Sequence, residues 1–181
     1  MYQILNALKY CHDNKIIHGD IKPMNILIDD NTIKLCDFNC SQYVFNTEKS
    51  SNIVTLWYRS PELLLGSRTY GTEIDIWSAG CVLAEMSSSN ILFVAKTDTE
   101  QLHVIFEKVG GPGEGSELSH LPLFKKDICV NEKKPFAVNK ECDDLLSLML
   151  EIEPSKRISA SDALAHTYFD EVRDKMTNGC F

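Results

Sequence analysis

The stretch His18-Gly-Asp20-Ile-Lys22-Pro-Met-Asn25, followed by Asp37-Phe38-Asn39, gathers the groups that phosphoryl transfer needs. Asp20 would be the base for an incoming hydroxyl. Lys22 would neutralise charge on the transferring group, in a reaction where electrostatic positioning supplies most of the catalysis. Asn25 and Asp37 offer hard oxygens, which suit Mg²⁺, an ion that keeps several waters and completes its shell with nucleotide phosphates. A lone Asp-x-Lys or Asp-Phe pair is ordinarily a solvated loop; the information lies in the joint set at these spacings.

The convergence of Asn25 and Asp37 depends on what lies between them. Ile26-Leu-Ile-Asp29 and Thr32-Ile-Lys-Leu-Cys36 are β-rich runs separated by the turn pair Asp30-Asn31, which predicts a hairpin. At the open end of an antiparallel pair, the residue before the first strand and the residue after the second lie about 5 Å apart between Cα atoms. Upstream, Tyr2 to Asn14 places Ile4, Leu5, Leu8 and Cys11 on one face of a helix. Downstream, Thr72 can cap a helix whose interior, Ile74 through Met86, is apolar nearly all round and must be buried. A further helix starts at Asp98, its expected cap, and runs to Val109, where Gly110-Gly111-Pro112 stops it. Residues 111 to 138 read as an irregular polar insert. Lys140 to about Glu153 predicts a helix with Leu145, Leu146, Leu148, Met149 and Leu150 inward, and Ser161 to Ala165 another behind a Ser159-x-x-Asp162 capping box. The tail from about residue 170 is expected to fray. The class expected is mainly α with one small β-hairpin.

These motifs resemble the protein kinase superfamily. His18–Asn25 is similar to the kinase catalytic loop and Asp37-Phe38-Asn39 to Asp-Phe-Gly. Thr55-Leu-Trp57-Tyr58-Arg59-Ser-Pro61-Glu62 resembles the end of an activation segment, and Asp75-Ile-Trp77-Ser-Ala-Gly80 the start of the large lobe's central helix. Arg157 matches the Arg that pairs with the Glu of Ala-Pro-Glu, here Glu62. Within the superfamily these segments resemble the cyclin-dependent kinases, from about Tyr2 to Phe169. The resemblance implies one domain over 1–181 with the architecture of a kinase C-terminal lobe. It implies a serine/threonine kinase acting on protein substrates, proline-directed, with ATP and Mg²⁺ as cosubstrate and a cyclin as a partner to be sought. Catalysis would fall to Asp20, Lys22 and Thr55, ATP and metal binding to Lys22, Asn25 and Asp37, structural roles to Glu62, Arg157 and Asp75, and phosphorylation to Ser50. His18 would be a packed residue that holds the loop; His12, His103, His120 and His166 are assigned no role.

Several family features are missing from the sequence. It has no glycine-rich strand-loop-strand, no strand Lys and no helix Glu to pair with it. Val94-Ala-Lys96 follows a helix end and Gly110-Gly-Pro-Gly113-Glu-Gly115 follows a helix, so both read as loop. The small lobe is therefore expected to be missing from a sequence begun at an internal Met. Gly19 stands where most kinases of this type carry the Arg that binds an activation-segment phosphate, and Gln42 where a second such Arg is usual. A phosphate on Ser50 would then lack the charge-assisted bonds that order a loop. Asn39 replaces the Gly of Asp-Phe-Gly and is expected to take φ > 0, which Asn tolerates better than other non-Gly residues.

Composition bounds the rest. A chain of 181 residues, 44% hydrophobic, suits one domain with a sizeable core. A net charge of −8 argues against nucleic-acid binding, and no apolar stretch reaches the ~20 residues of a membrane span. Seven Cys without a Cys-x-x-Cys pair read as reduced thiols of an intracellular protein, nuclear or cytoplasmic, and no zinc site is expected of them. Lys125-Lys126 and Lys133-Lys134 read as a solvated loop ahead of a divided import signal. Beside the kinase reading stand two others: a catalytically inactive kinase-like binding module, and an unstable fragment.

Overall fold

The structure is a computed structural model and describes residues 1–46, 53–125, 135–136 and 139–177. Its centre is helix α3 (Glu73–Ser88), in which every residue from Ile74 to Ala84 is buried. The surrounding helices are α1 (Tyr2–Asp13), α2 (Pro61–Leu64), α4 (Asp98–Val109), α5 (Lys140–Met149), α6 (Ala160–Leu164) and α7 (Asp170–Thr177). α5 lies along α3, α1 packs on α6 and on a strand, and α2 packs on α4. α5 comes so close that a Cβ on Gly80 would lie 2.9 Å from Leu150 Cδ2 and 3.1 Å from Met149 Cβ. Only glycine admits that approach. Trp77 and Phe93, both fully buried, stack at 5.9 Å and complete the core beneath α4.

The strands β2 (Ile26–Asp29) and β3 (Thr32–Leu35) form the expected hairpin, with Asp30 at φ 51 in its turn. Gln3 on α1 clamps this turn: its Nε2 donates to Asn31 O at 2.8 Å and its Oε1 accepts from Ile33 N at 2.7 Å. A second antiparallel pair, β1 (Ile16–Ile17) with β4 (Gln42–Tyr43), was not anticipated; it joins the segments before the catalytic-loop motif and after Asp37-Phe38-Asn39.

Several boundaries differ from the sequence expectation. Thr97, not Asp98, caps α4, its Oγ1 accepting from Glu100 N. Thr72 occupies the cap position of α3 without a side-chain bond, and Glu73 instead accepts from Gly71 N. Met86 is exposed because α3 emerges from the core after Ala84. α5 ends at Met149 rather than near Glu153, since Pro154 opens a separate 3₁₀ turn, and Leu148 faces solvent. α6 begins one residue early, at Ala160, with Ser159 Oγ accepting from Asp162 N. Residues 170–177 are helical rather than frayed, because Phe169 is buried against Tyr2 and draws the following turn down.

Candidate active site

α1 and β1 deliver the chain into the loop His18–Asn25, and α3 fixes that loop's backbone. Asp75, in the first turn of α3, accepts from Gly19 N on Oδ1 at 2.9 Å and from His18 N on Oδ2 at 2.8 Å. His18 is fully buried; its Nδ1 accepts from Asp20 N at 3.3 Å, which leaves Nε2 as the donor to Cys36 O at 3.1 Å. Its ring packs on Phe38 with centroids 4.6 Å apart. Both ring nitrogens are thus spent on tying the loop to the hairpin's end.

Asp20 receives four hydrogen bonds, which fills its acceptor capacity. On Oδ1 these come from Thr55 N and Thr55 Oγ1, each at 3.0 Å; on Oδ2 from Lys22 Nζ at 2.6 Å and Asn25 Nδ2 at 3.2 Å. Lys22 Nζ also donates to Thr55 Oγ1 at 2.9 Å, and Asn25 Nδ2 to Asp20 O at 2.8 Å. Burial pushes the Asp20 carboxyl up, but the Lys22 ammonium and the Thr55 amide and hydroxyl outweigh it and hold the group below the ordinary carboxylate value. At neutral pH the group is an anion.

The hairpin register sets the other pair of groups. Ile26 faces Leu35, and Cys36 N donates to Asn25 O at 3.0 Å, so Asn25 lies opposite Cys36 and Asp37 is the next residue along. The positive φ expected at Asn39 falls on Asp37 instead, at φ 63 and ψ 69. Asn39 sits inside the 3₁₀ turn Phe38–Cys40, which cannot hold a left-handed residue, and its Nδ2 donates to Asp37 Oδ1 at 2.6 Å. Gly19, at φ 78, faces this turn: a Cβ there would come 2.7 Å from Cys40 O. The loop and the Phe38–Cys40 turn therefore touch backbone to backbone. Gln42 donates to Tyr70 Oη at 3.0 Å. Ser50 lies outside the described residues.

The protein kinase domain family model matches residues 1–169. The chain belongs to the protein kinase domain family. It is also similar in structure to a chain of the yeast RNA Pol II CTD kinase CTDK-1 complex, with a TM-score of 0.84 and 35% identity over 93% of this chain. The chain spans 60% of that relative's length.

A kinase domain works with ATP and a divalent metal, and the residues present fit the metal end. Asn25 Oδ1 and Asp37 Oδ2 take no hydrogen bond among the described residues, and no group of three His, Cys, Asp or Glu there could hold a metal by itself. Two hard oxygens with the remainder left to phosphates and water is the donor set that a hard divalent cation of Mg²⁺ type accepts. For the nucleotide's α and β phosphates the described residues offer no glycine-rich strand pair, and the Lys on β3, Lys34, is exposed and pairs with Asp29 of the same hairpin at 3.0 Å.

Behind the site, Arg157 and Glu62 meet in a buried fork, Nη1 to Oε1 at 2.8 Å and Nη2 to Oε2 at 3.1 Å. Two features escaped the sequence reading. His12, assigned no role, places Nε2 3.0 Å from Asp75 Oδ2; its neighbour Cys11 on the buried helix face was the available signal. Val54 stands at φ 67 while buried, an outlier for a β-branched residue, and its carbonyl accepts from Arg59 Nε at 3.1 Å and Nη2 at 2.9 Å. No sequence signal announces that strain.

Proposed function

We propose that this kinase domain transfers the γ-phosphoryl group of ATP to Ser or Thr hydroxyls of protein substrates, with a preference for proline after the acceptor. The observation that carries the reading is the Asp20 carboxylate, ionised and held from both sides by Thr55, Lys22 and Asn25. An acceptor hydroxyl has to displace one of the four donors. Lys22 is the one free to leave, since its ammonium is a point charge on a flexible stem. As Lys22 turns to the transferring phosphoryl oxygens, Asp20 Oδ2 opens to the hydroxyl, orients it and takes its proton. Asn25 Oδ1 and Asp37 Oδ2 would hold Mg²⁺. The bound cation supplies neutralisation of the nucleotide's phosphates.

The preference for proline rests on Val54. In this reading the substrate residue after the acceptor passes Val54, the neighbour of the Thr55 that touches Asp20, and the Val54 carbonyl is already taken twice by Arg59. A backbone N–H arriving there finds no acceptor and is stranded; proline has no N–H to strand. The resemblance to cyclin-dependent kinases supports the Ser/Thr class and a cyclin as partner, and the likeness to a chain of a CTD kinase complex supports the kinase reading. Among the described residues none covers the nucleotide, and in this reading a small lobe of the family type supplies that cover.

The test is phosphate transfer by the protein joined to such a lobe, onto paired peptides that differ only in Pro or Ala after the acceptor. The expected outcome is a preference for Pro of about tenfold, the weight of one unsatisfied buried N–H. Transfer with no Pro preference removes the proline assignment. No transfer at all removes the kinase reading in favour of a binding module, which the Asn39 bond to Asp37 favours by occupying Oδ1, the second oxygen of the metal-facing carboxylate.

A further inference from the structure

Asp75 is 1% exposed, and its carboxylate is the anchor on which the catalytic loop's backbone hangs. Such a buried anion needs donors on both oxygens. Oδ1 has Gly19 N. Oδ2 has His18 N and one more donor, His12 Nε2 at 3.0 Å, from the last turn of α1. Among the described residues no Lys or Arg reaches Asp75, so His12 is its only side-chain partner. The His12 side chain is itself only 10% exposed, and the bond is thus shielded from water. Facing a carboxylate, Nε2 carries the proton.

The residue held by this arrangement is the one in greatest need of a restraint. Gly19 immediately precedes Asp20, takes φ 78, and has no side chain with which to fix itself. Glycine samples that region and several others with little difference in energy, so its conformation is set by its bonds. Its N–H bond to Asp75 decides where Asp20 begins, and how firmly Asp75 holds depends on how well its own charge is satisfied.

We propose that His12 is a positioning residue for the catalytic loop: by completing the donor set of Asp75 it holds the His18–Gly19 backbone and so aims Asp20. The kinetic consequence rests on Asp20 being the base, whereas the structural one does not. His12 touches no substrate and takes no proton in the reaction. Its effect travels through one carboxylate and two backbone amides.

The experiment compares the protein joined to a small lobe, as above, with its His12→Ala and His12→Gln variants by amide hydrogen exchange and by steady-state kinetics. Gln places a donor near the position of Nε2 and is the conservative variant. In His12→Ala, exchange at the Gly19 and His18 amides should accelerate about tenfold, the weight of one hydrogen bond to a buried charge, while amides of α4 keep their rates. kcat should fall by a similar factor with KM for nucleotide unchanged within about twofold, as expected when orientation and not ground-state binding is lost. His12→Gln should recover most of both effects. Unchanged exchange at Gly19 and His18 in His12→Ala overturns the proposal. So does equal acceleration at α4, which makes His12 a general stability residue, and so does a His12→Gln protein as impaired as His12→Ala, which makes its shape the relevant property. A wild-type protein without transferase activity removes the kinase reading and leaves the exchange comparison to decide on His12.

Discussion

The pairs Asp20–Lys22 and Glu62–Arg157 are both short, at 2.6 and 2.8 Å, yet the second is closed on every side while the first is open on one. Arg157 is fully buried and spends its donors on Glu62, on Glu73 O and on Glu151 O, with its face over Trp77 at 5.1 Å. A planar fork held at so many points cannot relocate. Lys22 has 15% of its side chain exposed and two partners, Asp20 and Thr55, which is an arrangement that an ammonium can leave and rejoin. Two charge pairs of similar length thus differ in freedom, the one a fastener and the other, in the function proposed above, an exchangeable latch. Solvent access and ligand shape decide which.

Asp20→Asn and Arg157→Ala separate the two roles most sharply. In the protein joined to a small lobe, Asp20→Asn should lower turnover by roughly 10² to 10⁴-fold, the usual share of a positioned general base, with only a minor shift in denaturant midpoint because the Thr55 donors keep an acceptor. Arg157→Ala should do the reverse. Stranding Glu62 in the core should cost about 3–5 kcal/mol of stability, read from denaturant unfolding. If both variants lost stability equally, or if Asp20→Asn left the rate unchanged, the contrast between latch and fastener would collapse.

The residues of both pairs were legible in the sequence, and so was much of the frame that holds them. Amphipathic spacing marked Ile4, Leu5, Leu8 and Cys11, and all four are buried on α1. The apolar run after Thr72 marked the central helix, and the hairpin's two runs marked its register to within one residue. Such features repeat along the chain with a fixed period, so a short window contains them. What could not be read came from single contacts between distant segments: Gln3 with the hairpin turn, His12 with Asp75, and β1 with β4. The left-handed residues Asp37 and Val54 were missed for a related reason: Asp visits that region more than most types but does not announce where, and Val54 stands there against its type, its carbonyl held by Arg59.

Thr55 tests how far the latch depends on its frame. Thr55→Val removes one bond to Asp20 Oδ1 and the acceptor for Lys22 while keeping the β-branched shape, so turnover should fall about five- to tenfold, the weight of one such hydrogen bond. The same change has a signed pH consequence. The Asp20 carboxyl is held below its ordinary value, so the stability it contributes is complete above the unfolded-state value, near 3.9, and is lost as pH falls through the lower folded value. Without the Thr55 hydroxyl the folded value rises toward the unfolded one, and the acid limbs of both activity and stability move to higher pH. A limb that moved down, or stayed fixed while turnover fell, would separate Thr55's effect from the charge on Asp20.

Asn39 gives the smallest effect and the opposite direction. Its Nδ2 bond at 2.6 Å occupies Asp37 Oδ1, leaving one carboxylate oxygen to meet a cation where two could serve. Asn39→Gly releases that oxygen and relaxes the Phe38–Cys40 turn that lies against Gly19. Since the bond to be exchanged is one neutral donor on a carboxylate, the gain should be a few-fold decrease in the Mg²⁺ concentration for half-maximal activity. Turnover at saturating Mg²⁺ should change little, because Asp20, Lys22 and Thr55 keep their contacts. Titrating Mg²⁺ in both proteins checks this. A weaker requirement in Asn39→Gly would show that the native chain gives up metal affinity to hold Asp37 in its left-handed conformation. An increased requirement would show the reverse, that the Asn39 bond aims the carboxylate and so belongs to the latch itself.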